Sequence, residues 1–522
     1  MFELNNLLNV SSYFIFSILL LLYINKILHF KGSKGINLTK PYPLIGHLFA
    51  FYHHKGDTLF QWFCGLIISS PTATFVVHRP FGERVVMTGN PANVEHILKT
   101  KFNNYQKGPI FRNTLRDFLG DGILNVDGET WKLQRQVAIH EFNTKSLRKY
   151  IENVVDFELF HRLIPILTNT AQEGTILDLQ DVLQRFTFDN ICKISFGYDP
   201  EYLTPSLPRG EFADALEDAT MISTRRFRVL FPLVWKIRRF FNIGSEKRLK
   251  EAVLEVREFA RSIIRQRKQR TKPSIETEDL LSRFLNNGQF EEENVIDIVI
   301  AFILGGRDTT STALTWFFWV LQKNHVVEKE ILKEVQNRKN GHEGDSSYQT
   351  GAQTGCSSFT QVKEMVYTHA ALCESMRLYP PVPADTKQAE ADDVLPDGTP
   401  VRQGMRVSYF PYAMGRLESI WGPHWAEYRP ERWLEVDVDA DETNKWRFVP
   451  RDGYSYPVFQ AGARTCIGKE MAFLQMKRVV AGILSKFRVI PVIKEGLEPI
   501  YVPNLTAKME GGLLVRIEER IV

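Results

Sequence analysis

The sequence lacks closely spaced cysteines: its five, Cys64, Cys192, Cys356, Cys373 and Cys466, include no C-x-x-C pair. Disulfide frameworks are built from even sets of cysteines and structural zinc sites from such pairs, so both are disfavoured. The odd number and wide spacing favour a reducing compartment instead. An unpaired cysteine is usually a small buried hydrophobic side chain, and that is the interpretation for Cys64, Cys192 and Cys373.

The sequence also lacks an excess of charge of one sign. Its 65 Lys and Arg residues nearly balance its 61 Asp and Glu residues, and the formal net charge is +4. That balance excludes the basic stripe typical of nucleic-acid-binding proteins. No linker-like composition or internal repeat interrupts the chain after residue 40, and 44% of the residues are hydrophobic. These features predict one large globular domain over residues 49–522.

Long uncharged apolar runs are rare, and one of them, from Leu7 to Ile24, lies at the N-terminus. Its 18 residues, at about 1.5 Å each, almost cross a hydrocarbon core of about 30 Å. The head MFELNN is not basic, unlike that of a cleaved signal peptide, and several lysines follow the run. The sequence predicts a membrane anchor over residues 1–30, a basic, proline-containing connector over 31–48, and a domain facing the cytosol. A cleaved signal peptide is the alternative.

Hydrophobic periodicity over the rest of the chain is mainly helical. Apolar residues recur three and four positions apart in residues 131–142, 245–270 and 469–487. Short runs rich in β-forming residues occur at 72–79, 84–89 and 512–520. The polar residues 339–358 are predicted as a surface loop. The fold class is therefore predicted as mainly α with a minor β-sheet region.

Residues 291–323 are apolar on nearly every side, which predicts a helix of roughly 50 Å through the core. Residues 305–310, Gly-Gly-Arg-Asp-Thr-Thr, interrupt it with a charge pair, which argues against a membrane span. Each glycine costs about 1 kcal/mol relative to alanine inside a helix. Glycine allows a flat group to approach the backbone, and threonine hydroxyls compete for helix carbonyls. A ligand-binding wall and a helix crossing with a paired internal charge are both compatible with this pattern.

A second set of charges is spaced for a buried ion network. Glu374 and Arg377 lie three residues apart on a predicted helix, and Arg432 follows further along the chain. One carboxylate between two guanidiniums satisfies many hydrogen bonds, as a buried ion network requires. Each pair taken alone is also compatible with a surface salt bridge.

Five motifs follow one another along the chain. They are W-x-x-x-R at 131–135, the 305–310 segment, E-x-x-R at 374–377, P-E-R at 430–432 and F-x-x-G-x-R-x-C-x-G at 459–468. In this order they resemble the cytochrome P-450 family of heme-thiolate monooxygenases over roughly residues 40–520. Within that family, the chain resembles the plant group that hydroxylates fatty acids at the terminal, or omega, carbon.

The resemblance implies the cytochrome P-450 fold behind an N-terminal transmembrane anchor in the endoplasmic reticulum membrane. It implies heme b as the cofactor, dioxygen as a substrate and an NADPH-cytochrome reductase as the electron donor. Cys466 would be the thiolate ligand of the heme iron, a ligand that favours O–O cleavage.

The resemblance also implies how the heme would be held. Trp131, Arg135 and Arg464 would bind its propionates through charge-assisted hydrogen bonds, with Lys387 as a further partner. Phe459 would lie against the ligand loop.

On the opposite side of the heme, the resemblance implies that Thr309 and Asp308 steer protons to bound dioxygen. Two residues depart from the usual family pattern. Gly305 stands where alanine is usual, and Ala463 stands where related plant sequences often have proline. Neither departure removes a functional group.

The resemblance implies a fatty acid substrate oxidised at or near its terminal carbon. Close relatives in the group oxidise a jasmonate–isoleucine conjugate, which also joins an apolar part to a carboxylate, so this substrate is an alternative. A heme-binding protein without turnover is an alternative of another class. The substrate pocket is expected to be lined by residues 111–118, 299–302, 382–384 and 505–509, although apolar residues are also common in any core.

Two sets of basic residues have alternative interpretations. Residues 225–239 mix basic and large apolar side chains, which suits an interfacial membrane contact or a solvated helix face. The second set is Lys132, Lys469, Lys477 and Arg478. These residues are interpreted as a docking surface for the reductase or, alternatively, as ordinary charges on helix surfaces.

Overall fold

The computed structural model describes residues 39–54, 57–140, 148, 150–207, 210–269, 279–340, 359–437, 446–493 and 496–520. The predicted membrane anchor (1–30), residues 31–38 of the predicted connector, Cys356 and most of the predicted loop 339–358 lie outside the described residues. Within the described ranges, no helix combines the length and the apolar character needed to cross a membrane.

Helices make up most of the described chain, as predicted. They are α1 (Leu48–His53), α2 (Asp57–Ser69), α3 (Pro91–Glu95), α4 (Gly108–Leu119), α5 (Gly128–Ile139), α6 (Ile164–Glu173), α7 (Leu179–Phe196), α8 (Glu211–Arg228), α9 (Pro232–Phe240), α10 (Ser245–Gln269), α11 (Leu280–Asn286), α12 (Glu292–Leu321), α13 (His325–Asn340), α14 (Phe359–Lys363), α15 (Val366–Leu378), α16 (Pro411–Met414), α17 (Glu418–Trp421) and α18 (Lys469–Leu484). Residues 151–163 form further helical turns that lead into α6.

The predicted core helix is α12, whose 30 residues span about 45 Å at 1.5 Å per residue. Nearly all of its side chains are buried, because other elements surround it. Helix α7 packs along it, and Gly306 lies at this contact. A Cβ atom at Gly306 would be 2.5 Å from the Ile191 side chain of α7, so glycine permits the close packing.

The largest sheet has the strand order β1-β2-β8-β5-β3 and forms one wall of the core. Strands β1 and β2 are an antiparallel hairpin, β2 pairs with β8 in parallel, and β8 pairs with β5 antiparallel. The β-rich runs at 72–79 and 84–89 correspond to β1 and β2. The strands of this sheet are β1 (Thr74–His78), β2 (Arg84–Thr88), β3 (Tyr105–Gln106), β5 (Asp385–Ala389) and β8 (Arg406–Tyr409).

Small sheets complete the fold. The predicted C-terminal β-rich run is β14, which pairs with β11 and β4. The remaining strands are β4 (Ile176–Asp178), β6 (Asp393–Val394), β7 (Pro400–Val401), β9 (Leu434–Val436), β10 (Trp446–Phe448), β11 (Phe487–Pro491), β12 (Tyr501–Pro503), β13 (Ala507–Met509) and β14 (Leu514–Glu519).

The buried ion network forms around Glu374, whose side chain and that of Arg377 are fully buried. Arg377 donates two hydrogen bonds to the carboxylate, at 2.8 and 2.9 Å, and Arg432 Nε donates one at 2.7 Å. The backbone N–H of Arg429 and the indole of Trp433 also donate to it, at 3.0 and 2.9 Å. The network joins α15 to the segment 429–433, and the role of Trp433 was not predicted.

Candidate active site

A cavity of about 540 Å³ lies between α12 and the loop that precedes α18. Thr309 and Gly305 line it from α12, and Cys466 lines it from the loop. Three of the five motifs, at 131–135, 305–310 and 459–468, therefore share one internal space, and Glu374, Arg377 and Arg432 do not line it.

The loop that carries Cys466 is held by backbone contacts. The Cys466 N–H donates to the Phe459 carbonyl at 2.8 Å. Gly462 has φ +62°, and a Cβ atom there would lie 2.2 Å from the Leu98 carbonyl oxygen, so both conformation and space require glycine. The Cys466 thiol is open to the cavity. Burial inside the domain raises its pKa, while a hydrogen bond from the Gly468 N–H acts in the opposite direction.

Cationic and aromatic residues predicted to bind propionates lie at one edge of this cavity. Arg464 Nη2 donates to the Asp127 carboxylate at 2.6 Å, and its guanidinium lies 4.4 Å from the centre of the Trp131 ring. Arg135 Nη2 donates to the Thr465 carbonyl, next to Cys466, at 2.7 Å. The structure thus brings Trp131, Arg135 and Arg464 together around the cysteine loop.

Lys387 also lines the cavity but is tied to a carboxylate. Its Nζ lies 2.7 Å from Asp385, and Lys107 Nζ lies 2.8 Å from the same side chain. Burial lowers the pKa of Lys387 to about 7, although Asp385 acts to raise it. Burial acts to raise the pKa of Asp385, but Lys107 and Lys387 outweigh it and hold that pKa well below its ordinary value.

These residues fit the heme that the resemblance implies. A heme has a flat apolar ring and two anionic propionates, and the cavity offers apolar walls, an open thiol and three cationic side chains. Arg464 Nε is moreover buried without a hydrogen-bond partner among the described residues. A buried donor normally has a partner, so an added anionic group at this edge would complete its hydrogen bonding.

On the α12 wall, Thr309 Oγ1 donates to the Gly305 carbonyl at 2.6 Å. Nothing lies within 4 Å of a Cβ atom built at Gly305, so this departure from the family pattern leaves extra room. Asp308 does not line the cavity: its carboxylate accepts from Arg307 at 3.0 Å. Thr506 Oγ1 lies 3.4 Å from Asp308 Oδ2 and does line the cavity, so Asp308 reaches the cavity through Thr506.

The expected lining ranges contribute in part. The residues that line the cavity are Phe111, Leu115, Ala301, Phe302, Val382, Pro383, Ala384, Leu505 and Thr506, and the other residues of the four ranges do not line it. Cavity residues that sequence reasoning missed come from the end of α8 and from the largest sheet, including Arg79, Arg228 and Arg406. The available signal was an arginine at a position of an apolar strand whose side chain points to the inner face of the sheet. Which face is the inner one is known only once the strand and its neighbours are known.

Two interpretations of basic residues were wrong for some of their members. Lys477 and Arg478 are buried: Lys477 Nζ donates to the Lys363 carbonyl at 2.8 Å, and Arg478 Nε donates to Asp156 at 2.5 Å. They cannot belong to an exposed docking surface. Arg226 is also buried, against Glu246, rather than on a membrane-facing or solvated surface. In each case the helix is packed on more than one face, so its basic residues are not all solvated.

Comparison with known proteins agrees with the site. The family model described as Cytochrome P450 matches residues 37–515. The chain is 57% identical to Cytochrome P450 94A1 of Vicia sativa over 487 residues, 93% of this chain and 91% of the relative. It is 45% identical to Cytochrome P450 94B1 of Arabidopsis thaliana, over 96% of this chain and 95% of the relative. The chain therefore belongs to the cytochrome P450 family, whose members are monooxygenases that carry heme b with a thiolate-ligated iron.

Proposed function

We propose that this monooxygenase hydroxylates fatty acids at or near the terminal carbon. The observation that supports this most directly is the cavity itself, because mostly apolar side chains line it and both Cys466 and Thr309 open onto it. An apolar chain suits such walls. Cytochrome P450 enzymes use dioxygen and electrons from a redox partner, and we propose an NADPH-cytochrome reductase as that partner.

The residues of the site have distinct proposed roles. When bound, heme supplies the iron at which dioxygen is activated. Cys466 provides the thiolate, and the Gly468 N–H that opposes the effect of burial on its pKa favours that charged form. Arg135, Arg464 and Lys387 provide positive charge for the propionates, with Trp131 against the Arg464 guanidinium. The Phe459 ring packs against Phe473 of α18, with ring centres 5.1 Å apart and planes tilted by 38°, and so steadies the loop.

Proton delivery is proposed for the α12 wall. The Thr309 hydroxyl donates to the Gly305 carbonyl, and it can relay a proton into the cavity when it turns away from that carbonyl and takes up a replacement proton at Oγ1. Asp308 can supply such protons only through Thr506. Apart from Thr309 and Thr310, the α12 residues that line the cavity have no polar side chain, so few other groups of this wall can relay a proton.

The test begins with the difference spectrum of the reduced protein with and without carbon monoxide. A far-red band typical of thiolate-ligated iron that disappears in Cys466→Ala supports the ligand assignment, and its persistence contradicts it. Thr309→Ala should keep the heme but consume dioxygen without equivalent product. Protein that shows the thiolate band but oxidises none of the substrates offered would favour the alternative of a heme-binding protein without turnover. Product analysis with fatty acids and with jasmonoyl conjugates then distinguishes the two substrates.

We also propose that the domain lies on the cytosolic face of the endoplasmic reticulum, anchored by residues 1–30. Large apolar side chains exposed on and after α9, among them Leu233, Phe240 and Phe241, support a membrane contact. Membrane fractionation of the full chain tests this proposal. Phe240→Ser with Phe241→Ser should lower membrane retention if these side chains insert, and a soluble wild-type chain would contradict both parts.

A further inference from the structure

One face of the largest sheet faces the cavity. Residues two apart on a strand share a face, and Arg406 and Ser408 of β8 both line the cavity, as does Val85 of β2. The backbone of Arg79, just after β1, continues the hairpin by donating to the Glu83 carbonyl at 2.7 Å. Since Val85 pairs with Arg406, Arg79 and Arg406 lie at the same end of this face.

The two guanidiniums share one carboxylate. Arg79 Nη1 lies 3.2 Å from Glu83 Oε2, and Arg406 Nη2 lies 2.8 Å from Glu83 Oε1. The Glu83 side chain is 39% exposed, whereas those of Arg79 and Arg406 are 6% and 11% exposed. Two enclosed positive charges therefore face a single negative charge that is partly solvated, which leaves this end of the cavity electropositive.

Both guanidiniums also retain an unused donor. Arg79 Nη2 donates to the Val229 carbonyl at 2.6 Å, but the Nε atoms of Arg79 and Arg406 are buried without a partner among the described residues. Leaving a buried charged donor unsatisfied is costly. Burial lowers the pKa of Arg79, and nearby Arg406 lowers it further. Because both side chains line the cavity, an anion bound beside them would reduce the repulsion between them, and a turn of either guanidinium would give its Nε an acceptor.

The two arginines and the cysteine loop lie near opposite ends of strand β8. Strand β8 starts at Arg406 and ends at Tyr409, about 10 Å further on at 3.3 Å per residue. The Tyr409 hydroxyl donates to Gln460, in the loop that carries Cys466. A third guanidinium, that of Arg228, lines the cavity and donates to the Pro503 carbonyl. Arg79 and Arg406 thus lie at the end of β8 that is remote from the cysteine loop.

We infer that Arg79 and Arg406 form a carboxylate-binding subsite that holds the acid end of an apolar substrate. Guanidiniums form strong charge-assisted hydrogen bonds with carboxylates. With the acid held there, the other end of the chain extends toward Cys466 and Thr309, which selects oxidation far from the carboxylate. This inference rests on the proposed function and specifies how its substrate is oriented. The same chemistry suits a fatty acid and the acid group of a jasmonoyl conjugate.

The test compares an acid with its ester. Dodecanoic acid and methyl dodecanoate have the same chain, so the ratio of their dissociation constants, from substrate-induced spectral shifts and from calorimetry, measures carboxylate recognition. Arg406→Met should weaken acid binding about 10- to 100-fold, as expected for hydrogen bonds to a charged group, and change ester binding less than about threefold. Arg84→Met is the matched control, because Arg84 is exposed on the same hairpin. It should change neither constant.

Arg79 needs a separate control because it also holds backbone carbonyls after α8. Arg79→Met should lower the acid-to-ester preference, and Arg79→Lys should restore part of it through the retained charge. If Arg79 only fastens that segment, both ligands weaken equally. The carbon monoxide spectrum gives the concentration of folded protein for every variant, so a folding defect is not mistaken for weak binding.

The outcomes separate the inference from the proposed function. Wild-type protein that oxidises dodecanoic acid while Arg406→Met keeps the wild-type acid-to-ester ratio overturns the subsite and leaves the proposed function intact. Wild-type protein that neither binds nor oxidises any fatty acid overturns the proposed function, and it overturns the subsite as well if the jasmonoyl conjugate binds no more tightly than its methyl ester. A jasmonoyl–isoleucine conjugate and its methyl ester, measured in parallel, identify which acid depends on the arginines. A shift of the product away from the terminal carbon in Arg406→Met further supports the subsite.

Discussion

Two clusters in this protein each have two largely buried arginines that share one glutamate, but the surroundings of the two clusters differ. In the first, Arg377 and Arg432 share Glu374. In the second, Arg79 and Arg406 share Glu83. The Glu374 carboxylate is fully buried, whereas Glu83 is partly exposed and the adjacent Nε atoms lack partners among the described residues. The first cluster is closed, and the second is open toward the cavity.

The difference indicates different purposes. In the closed cluster, backbone carbonyls accept the donors that Glu374 leaves over, since Arg377 also donates to the carbonyls of Gly415 and Glu427. Its bonding is complete without a ligand, and it joins distant segments of the chain. In the open cluster the two Nε donors are left over, and both arginine side chains line the cavity. A buried arginine pair is therefore structural or ligand-binding according to which donors remain unpaired, and its charge alone does not decide this.

The largest expected effect comes from breaking the closed cluster. Glu374→Gln leaves Arg377 and Arg432 without their anion, and removing one partner of a buried ion pair typically costs about 3–5 kcal/mol. Urea unfolding should show a loss of that size, and little protein should retain heme. Glu83→Gln is the matched comparison and should cost clearly less, because the Glu83 side chain is 39% exposed and its ion pairs are already partly solvated. Similar losses in both variants would remove the distinction between the clusters.

The two neighbouring glycines of α12, Gly305 and Gly306, offer a similar comparison, because one faces open space and the other is closely packed. Gly306→Ala places a methyl group against Ile191, and overpacking of this kind costs about 1–3 kcal/mol. Gly305→Ala has open space and should not destabilise the helix, which prefers alanine. Thermal unfolding of the two variants measures this contrast. If Gly306→Ala were as stable as Gly305→Ala, close packing against α7 would not be the reason for glycine there.

The core helix α12 and the Glu374 cluster were easier to predict from the sequence than the Glu83 cluster. The apolar periodicity of residues 291–323 predicted α12 to within two residues at each end, because the signal extends over many turns. The spacing of Glu374 and Arg377 predicted their ion pair, since side chains three apart on a helix are neighbours. Trp433 could not be predicted as a partner, because only the fold brings its indole to Glu374.

The Glu83 cluster could not be predicted from the sequence, because only the tertiary structure brings its residues together. Arg79 and Arg406 come from distant parts of the sequence, and strand β8, which carries Arg406, was not predicted at all. A four-residue strand gives too short an alternation to be recognised. Likewise Gly305 and Gly306 are indistinguishable in the sequence, and the neighbours of each decide their different roles. The burial of Lys477 was missed for the same reason, since helical periodicity does not reveal which faces are covered.

A smaller effect is expected on the pH dependence of stability, because the folded protein buries the neutral ring of His369. The ring of His369 stacks on Phe473, with centres 4.0 Å apart. Burial, with Lys477 and Lys469 nearby, lowers its pKa from 6.5 to about 3. The folded protein keeps this ring neutral while the unfolded chain takes up a proton below about pH 6.5, so stability falls as the pH decreases.

The loss attributable to His369 should reach about 1 kcal/mol at pH 5.5. His369→Phe preserves a ring in the stack and should reduce the difference between urea unfolding at pH 7.5 and at pH 5.5. The control is His325→Phe, since the His325 side chain is 83% exposed. An unchanged pH dependence in His369→Phe would mean that this histidine takes up its proton equally in the folded and unfolded protein.

The smallest expected effect returns to the open cluster. Glu83→Gln removes the carboxylate that competes with a bound acid for Arg79 and Arg406, so dodecanoic acid should bind about threefold more tightly, in the range expected for a partly exposed charge. The dissociation constant of the methyl ester should not change. Tighter acid binding would mean that Glu83 acts as a competing anion. Weaker acid binding would instead mean that Glu83 positions the two guanidiniums, because their orientation then matters more than the charge that Glu83 neutralises.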